Sequence, residues 1–515
     1  MEREEAYVMY SLAHQLSQEN GYDVLYINDK VEEVWLEKLE QKKSLIVRIS
    51  TIGFDWKNHL KKDIAQVFQK TNAMRKMLQG KNIEVHNVYI SPHTPVDSWE
   101  MLKKPMIIQE KNPIKMMTYY LSGEDFYKEK NRLSENLQVS FQQEAKEILP
   151  EEQVEKAIQN AKLELVKKIQ HKQKEEEALF TFGKPIFTYL LIGINAILYL
   201  LLEINGGSLT NQTLIDFGAK FNPAIVDGEW WRLFTSMFLH IGFLHFASNM
   251  LFLYYFGSLA EKMYGSIRFI SMYILAGVAA SIASFAFVTN ISAGASGALY
   301  GLFGAFIYFG LFYKRVFYQT IGKNILMVLA LNIGLGFFLP QLDVIAHMGG
   351  LVAGFIAAGI VHLPKKRKLR TQAIAFIIYV VLVIGIFLFG MEQNPNKASY
   401  QTLNINMLLQ EERYEEIVEG ATKGLANPKG FEALLLFQRS YAYSQLEQIE
   451  PAIEDLEQCI NVLENPKELP EAYYNLALLY QEVGDDRAEE LIRKAYELIP
   501  SDLRIEELYK NITGE

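Results

Sequence analysis

Seven apolar segments lie between residues 186 and 390, each near the ~20 residues that cross a bilayer as a helix. They run over 186–204, 236–260, 268–289, 295–312, 323–340, 345–363 and 371–390. Lipid offers a backbone no hydrogen bonds, so an isolated apolar stretch of this length is stable there only as a helix. The expected fold class is therefore a multi-pass α-helical membrane protein with seven spans. Gly and other small residues interrupt the fourth to sixth segments, as in the packed interior of a bundle and not in lipid-facing anchors.

Charge is segregated around this block. The chain is 50% hydrophobic and 22% charged, but residues 1–180 and 392–515 hold most of the charge. The formal net charge is −9; residues 391–515 carry 25 acidic and 11 basic side chains, which leaves the remainder slightly positive. No basic stripe is present, so nucleic acid is not an expected partner. Cys459 is the single cysteine, and no intrachain disulfide is possible. Met1-Glu-Arg-Glu-Glu lacks the basic region and apolar core of a signal peptide, so insertion is expected from the internal segments.

Residues 1–180 read as an α/β domain with a helical stalk. Strands are expected at 22–27, 31–39, 44–49, 83–90 and 105–109, with a helix over 55–78 and a long polar helix over 137–177. The strand–helix–strand order loosely resembles a nuclease-type core, but no metal-ligand set accompanies it, and His14, His59, His86 and His93 are scattered. A regulatory or binding role is the expectation. From Thr402 the chain turns helical again, with a period of about 34 residues. Ala442, Ala452, Cys459 and Pro466 match Ala477, Ala488, Ala495 and Pro500, with a fainter copy through Tyr414, Ile417, Ala421 and Pro428. Small residues at helix crossings and a closing Pro resemble tetratricopeptide repeats, whose concave face would bind a protein or peptide partner. Three domains are expected: 1–180, 181–391 and 392–515.

Loop charge predicts the orientation. Lys262 and Arg268 follow the second segment, Lys314, Arg315 and Lys323 the fourth, and Lys365, Lys366, Arg367, Lys368 and Arg370 the sixth. The loops after the third and fifth carry no Lys or Arg. Positive loops stay inside, so the N-terminal domain is expected in the cytoplasm and the C-terminal domain outside the cell membrane.

Two polar residues stand out in the membrane block. Ser296, in Gly294-Ala-Ser-Gly297, opens the fourth segment, where free helical N–H groups and the macrodipole favour a developing oxyanion. His347, in Ala346-His-Met-Gly-Gly350, is an ionisable residue in an apolar helix and by default a functional candidate. Gly350 and Gly354 share its face, while Gly297 and Gly301 are four apart on the serine helix. Both spacings let backbones approach closely, as a Ser–His hydrogen bond requires. Tyr300, at i+4 from Ser296, is placed to stack on the imidazole, and Asp343 reads as a loop residue facing water. In the second segment His245 and Asn249 share a helical face as candidate oxyanion donors, with His240 in the loop before them. The rival reading is a zinc site built on the three histidines, but no Glu or Cys accompanies them in the second and sixth segments.

Taken together, Gly294-Ala-Ser-Gly297, Ala346-His-Met-Gly-Gly350, the His240, His245 and Asn249 spacing and Trp231-Arg232 resemble the rhomboid family of intramembrane serine proteases over about residues 180–390. The two ends are similar to a Gram-positive bacterial subgroup with a seventh span and an outer tetratricopeptide tail. The resemblance implies a seven-span rhomboid-like bundle, with Ser296 as nucleophile and His347 as general base. It implies an oxyanion hole of His245, Asn249 and the Ser296 amide, with Tyr300 supporting the histidine. Arg232 and Glu261 match positions that pin the loop 205–230 in the membrane interface. No cofactor is implied; the partners are transmembrane protein substrates and the bilayer. Two other classes stay open, a membrane scaffold or adaptor and a channel or transporter.

Overall fold

A computed structural model describes the chain except residues 1, 29, 42, 76, 77, 79, 81, 109–112, 143–149, 339–341, 365–367 and 515. The chain forms two compact units, Met1–Phe182 with Phe306–Leu329 and Gly183–Ala305 with Ala330–Glu515.

The first unit holds a six-stranded sheet: β1 (Asp23–Asn28), β2 (Glu33–Glu40), β3 (Lys43–Ser50), β4 (Asn82–Ile90), β5 (Met106–Ile108) and β6 (Ile114–Leu121), in the order β1-β2-β3-β4-β6-β5. β3, β4 and β6 run parallel, while β1, β2 and β5 join antiparallel. Strand alternation sorts side chains to two faces. Val34, Leu36, Val47 and Ile49 pack with the helix Glu2–Gln18 and the stalk helix Glu151–Ala178 on one face. Trp35 and Ile46 pack against the helix Lys57–Met74 on the other. β6 was not expected: like β3 and β4 it is buried on both sides, but Met116, Met117 and the two tyrosines leave it fewer β-branched residues than they have. The stalk also starts later than 137: Leu137 closes a separate helix, Phe126–Leu137, and Gln138 turns the chain with φ 56°. Residues 143–149 of the expected stalk, residue 109 of the short strand and residues 339–340 of the fifth segment lie outside the described residues.

The buried arginine of this sheet is paired. Arg48 donates to Glu33 at 2.7 Å, to Asp63 at 3.1 Å and to Asn87 at 3.0 Å, and Tyr89 donates to Asp63 at 2.6 Å. The carboxylates nearest to a nuclease-type cluster are thus occupied by a guanidinium. No group of three His, Cys, Asp or Glu among the described residues is placed to hold a metal ion.

All seven apolar segments are helical, but unequally. Ile186–Ile204, Ser266–Phe287, Val344–Val361 and Leu369–Asn396 are long and apolar enough to span a membrane alone. The expected single helix over 236–260 is instead a broken pair, Arg232–Phe238 and Phe243–Tyr264, bent by 89°. Gly242, with φ 76°, stands at the break and precedes the second piece. Ser296–Phe312 and Gly322–Phe338 have 17 residues each. Helical membrane architecture therefore holds, with an N-terminal α/β domain and a helical C-terminal region. The tail consists of antiparallel helices from Ala398–Gln410 to Leu503–Thr513. Ala421, Ala442, Ala452, Cys459, Ala477, Ala488 and Ala495 are buried at their crossings.

Candidate active site

Three helices create the site by approaching one another closely. A Cβ placed on Gly350 would lie 2.0 Å from the Gly297 carbonyl oxygen, and one on Gly354 would lie 2.0 Å from that of Gly301. Gly297 and Gly301 turn their own missing side chains toward Ala280 and Ala276 of Ser266–Phe287, where a Cβ would meet methyls at 2.5 and 2.1 Å. The four glycines therefore do not face one another as a single pair of faces; they interlock the serine helix between the other two. No residue with a side chain fits these crossings without moving a helix.

This packing brings the two polar residues together. Ser296 Oγ and His347 Nε2 are 2.8 Å apart, within hydrogen-bond reach of nucleophile and base. The Tyr300 ring stacks on the imidazole with centroids 4.2 Å apart and planes 7° from parallel. Among the described residues no carboxylate bonds to His347. Asp343 is not a loop residue facing water: its carboxylate caps the histidine helix by accepting from Ala346 N–H at 2.9 Å, and it also accepts from Ser284 Oγ. The sequence carried this signal, an Asp directly before the apolar run with its acceptor reaching the third amide.

The strand-like segment before Ser296 is held from several sides. Ser292 and Lys220 exchange backbone hydrogen bonds at 2.9 and 3.1 Å, Gly294 N–H donates to the Ser236 carbonyl at 2.9 Å, and Ala295 N–H donates to His240 Nε2 at 3.4 Å. His240, fully buried in the loop before Phe243, is thus a backbone support and also meets His245 edge-on, with centroids 5.5 Å apart. A Cβ on Gly294, at φ 152°, would lie 3.0 Å from His245 Nε2 and 3.7 Å from Ser296 Oγ, so that small gap separates the two groups. Asn249 is turned back on its own helix, where Nδ2 donates to the His245 carbonyl at 2.8 Å. Lys220, Ser236 and Ser292 were not expected as site residues, since backbone pairing leaves no mark in side-chain chemistry.

Arg232 and Glu261 part company. Arg232 donates to the Ile215 carbonyl at 2.5 Å and stacks on Trp231 at 4.7 Å, contacts that link it to the loop 205–230. Glu261 instead caps the first membrane helix. Its carboxylate accepts from the Ile186 and Phe187 amides at 3.0 Å and from the Thr188 amide and hydroxyl at 2.8 Å. A carboxylate on a helix N-terminus satisfies orphan donors and the dipole together.

Comparison with known proteins identifies the family. A family model described as the Rhomboid domain matches residues 227–364, and a tetratricopeptide repeat model matches 433–462 and 470–502. "Rhomboid protease GluP" of Bacillus subtilis (strain 168) is 35% identical over 469 residues, 90% of this chain and 89% of that protein. "RHOMBOID-like protein 5" of Arabidopsis thaliana is 36% identical over 149 residues, 28% of this chain and 48% of that one. The likeness to the Bacillus protein runs through both soluble ends as well as the membrane block, and this chain accordingly belongs to the rhomboid protease family, as a serine protease of membranes with a tetratricopeptide tail.

Proposed function

We propose that Ser296 and His347 form the catalytic dyad of this intramembrane protease. The observation that carries the reading is the 2.8 Å contact between Ser296 Oγ and His347 Nε2 under the stacked Tyr300 ring. His347 Nε2 takes the hydroxyl proton as Ser296 Oγ attacks the scissile carbonyl carbon. The resulting oxyanion is held by the Ser296 amide at the helix start and by His245. Asn249 joins them once its carboxamide leaves the His245 carbonyl. His347 then returns the proton to the leaving amine, and water attacks the acyl-Ser296 ester by the same route in reverse.

The substrate is a transmembrane protein cut in or beside a span. A helix in lipid keeps its carbonyls bonded internally, so the cleaved segment must unwind locally. Gly, Pro or polar residues near its outer end lower that cost. In the proposed arrangement seven spans cross the cell membrane, with residues 1–180 in the cytoplasm, 181–391 as the protease domain and 392–515 outside. Loop charge supports this sidedness, and it sets Ser296 and His347 toward the outer surface, where water is available. The repeats present a surface for a protein or peptide partner, and the soluble ends give the protein an adaptor role beside its proteolytic one.

The test is cleavage of a tagged single-span protein in proteoliposomes. Ser296→Ala and His347→Ala should each reduce the rate by more than about 10⁴-fold, and the double variant should be no slower than either alone, because the two groups act as one unit. Equal cleavage by all four proteins would remove the dyad. Activity lost to a metal chelator would restore the zinc reading.

A further inference from the structure

The base of the tail is built into the scaffold that holds the segment before Ser296. Ser266–Phe287 ends near the proposed outer surface, and the last carbonyls of a helix have no partners within it. Four side chains from distant parts of the chain take them up. Asn222 Nδ2 donates to the Phe285 carbonyl at 3.1 Å and to that of Val288 at 3.2 Å. Lys220 Nζ donates to the Val288 carbonyl at 2.8 Å. Asn394 Nδ2 donates to the Phe285 carbonyl at 2.8 Å, and Lys397 Nζ donates to that of Ala286 at 2.9 Å. The donors are tied to each other as well, since Asn394 Oδ1 accepts from Asn222 at 3.1 Å and from Lys397 at 3.2 Å. Lys220, Asn222 and Asn394 are all buried.

The location of this cluster matters. Lys220 pairs by its backbone with Ser292, four residues before Ser296. Asn394 and Lys397 sit where the last membrane helix passes into the first tail helix, Ala398–Gln410. Thr289, one residue past Val288, bonds Ser399 in the tail helix at 2.9 Å. Gly390 completes the join: a Cβ there would meet the Phe285 ring at 2.7 Å, so the last membrane helix lies flush against the capped end. A continuous set of hydrogen bonds therefore runs from the tail through Asn394 and Asn222 to Lys220 and Ser292.

We infer that Asn222, Asn394 and Lys397 are positioning residues for Ser296, so that the seating of the tail base sets the reactivity of the nucleophile. They touch no reacting atom. Their action is to hold the Ser292–Ala295 segment, and with it the start of the Ser296 helix, against the His347 helix. A misplacement of about 1 Å is enough to cost a reaction up to ~100-fold. The inference rests on the reading of Ser296 as nucleophile.

The experiment measures acylation of Ser296 by a fluorophosphonate probe in the full-length detergent-solubilised protein, beside kcat and KM for a single-span substrate and the thermal melt. Ser296→Ala must abolish labelling; labelling that persists in it would overturn the nucleophile reading separately from this one. Asn394→Ala, Asn222→Ala and Lys397→Met should each slow labelling and kcat by about tenfold or more with little change in KM. Lys397→Arg, which keeps a charged donor, should label at the wild-type rate. Arg439→Met, which breaks the 2.7 Å pair with Asp455 inside the repeats, should lower the melt without slowing the probe. If the three cluster variants melt earlier yet label within twofold of wild type, the cluster is only a structural joint and the inference fails.

Discussion

The α/β sheet and the membrane core both bury polar side chains, and they settle the cost by opposite means. Around Arg48 each buried charge faces its opposite: Glu33 and Asp63 take the guanidinium, and Asn87 and Tyr89 fill the remaining positions. Around Ser296 no charge is spent. A neutral hydroxyl faces an imidazole, an aromatic ring fixes the imidazole plane, and glycine contacts supply the closeness. A fully paired charge is quiet, because any change in its protonation costs the pair. A hydroxyl–imidazole contact leaves its proton free to move, and that is what the proposed general-base chemistry needs. The sheet is built to stay as it is, whereas the proposed dyad would have to exchange a proton.

Breaking the charge balance should have the largest effect. Arg48→Ala leaves Asp63 without its cation and Glu33 with only the half-exposed Lys70 at 3.2 Å, and should destabilise the first unit by about 3 kcal/mol. Limited proteolysis of residues 1–182 in the full chain should show this as earlier cleavage, without a matching change in Ser296 acylation. Next comes His86, fully buried beside Tyr119, with its ring nitrogen 3.0 Å from the phenol oxygen. Burial lowers its pKa from 6.5 to about 4; Glu84 opposes this, while Lys43 and Lys115 add to it. The folded state therefore refuses a proton that the unfolded chain accepts. Stability is full above pH 6.5 and falls as the pH drops toward 4, by about 3 kcal/mol in all. Hydrogen exchange of the β4 amides, corrected for intrinsic rates, should report the loss. His86→Gln should remove most of the slope between those limits.

On the membrane side the effects should follow shape instead of charge. Gly354→Ala puts a methyl 2.0 Å from the Gly301 carbonyl and should cost about 1–3 kcal/mol in the thermal melt, with loss of cleavage as the His347 helix moves away. A variant that melts and cleaves like wild type would show that the crossing tolerates a side chain. The smallest effect belongs to Tyr300. If its ring alone orients His347, Tyr300→Phe should cleave at nearly the wild-type rate, while Tyr300→Ala should lose roughly three- to tenfold, the worth of one aromatic stack. A Phe variant as slow as the Ala variant would assign the work to the hydroxyl and end the contrast between a charged and a neutral solution.

Much of this was legible in the residues. Ser296, His347 and Tyr300 carry their chemistry in their identities and their register on a helix, and the spacing of Gly350 and Gly354 announced close approach. The repeats showed through the buried alanines at their crossings. The strands β1 to β5 were visible as short runs of β-branched and aromatic residues, although β3 and β4 are buried on both faces. The stretch Ile114-Lys-Met-Met-Thr-Tyr-Tyr-Leu121 of β6 holds a single β-branched aliphatic residue and gave a weaker strand signal, and the bend in the second segment was hidden by a composition that stays apolar across it. Glu261 and Asp343 were placed correctly in the chain and wrongly in function, since a carboxylate on a helix start looks like any other loop charge until the helix is in place.

By itself the sequence determined which segments are apolar helices, which ends carry the charge, and which two side chains are candidates for a nucleophile and a base. These depend on local properties: hydropathy over one helix length, periodicity, and functional-group identity. Tertiary structure alone decided that Gly297 lies against Gly350, that His240 supports the amide of Ala295, and that Asn394 shares a capped helix end with Asn222. Each of these joins residues dozens to hundreds of positions apart through backbone atoms, and every residue has the same backbone.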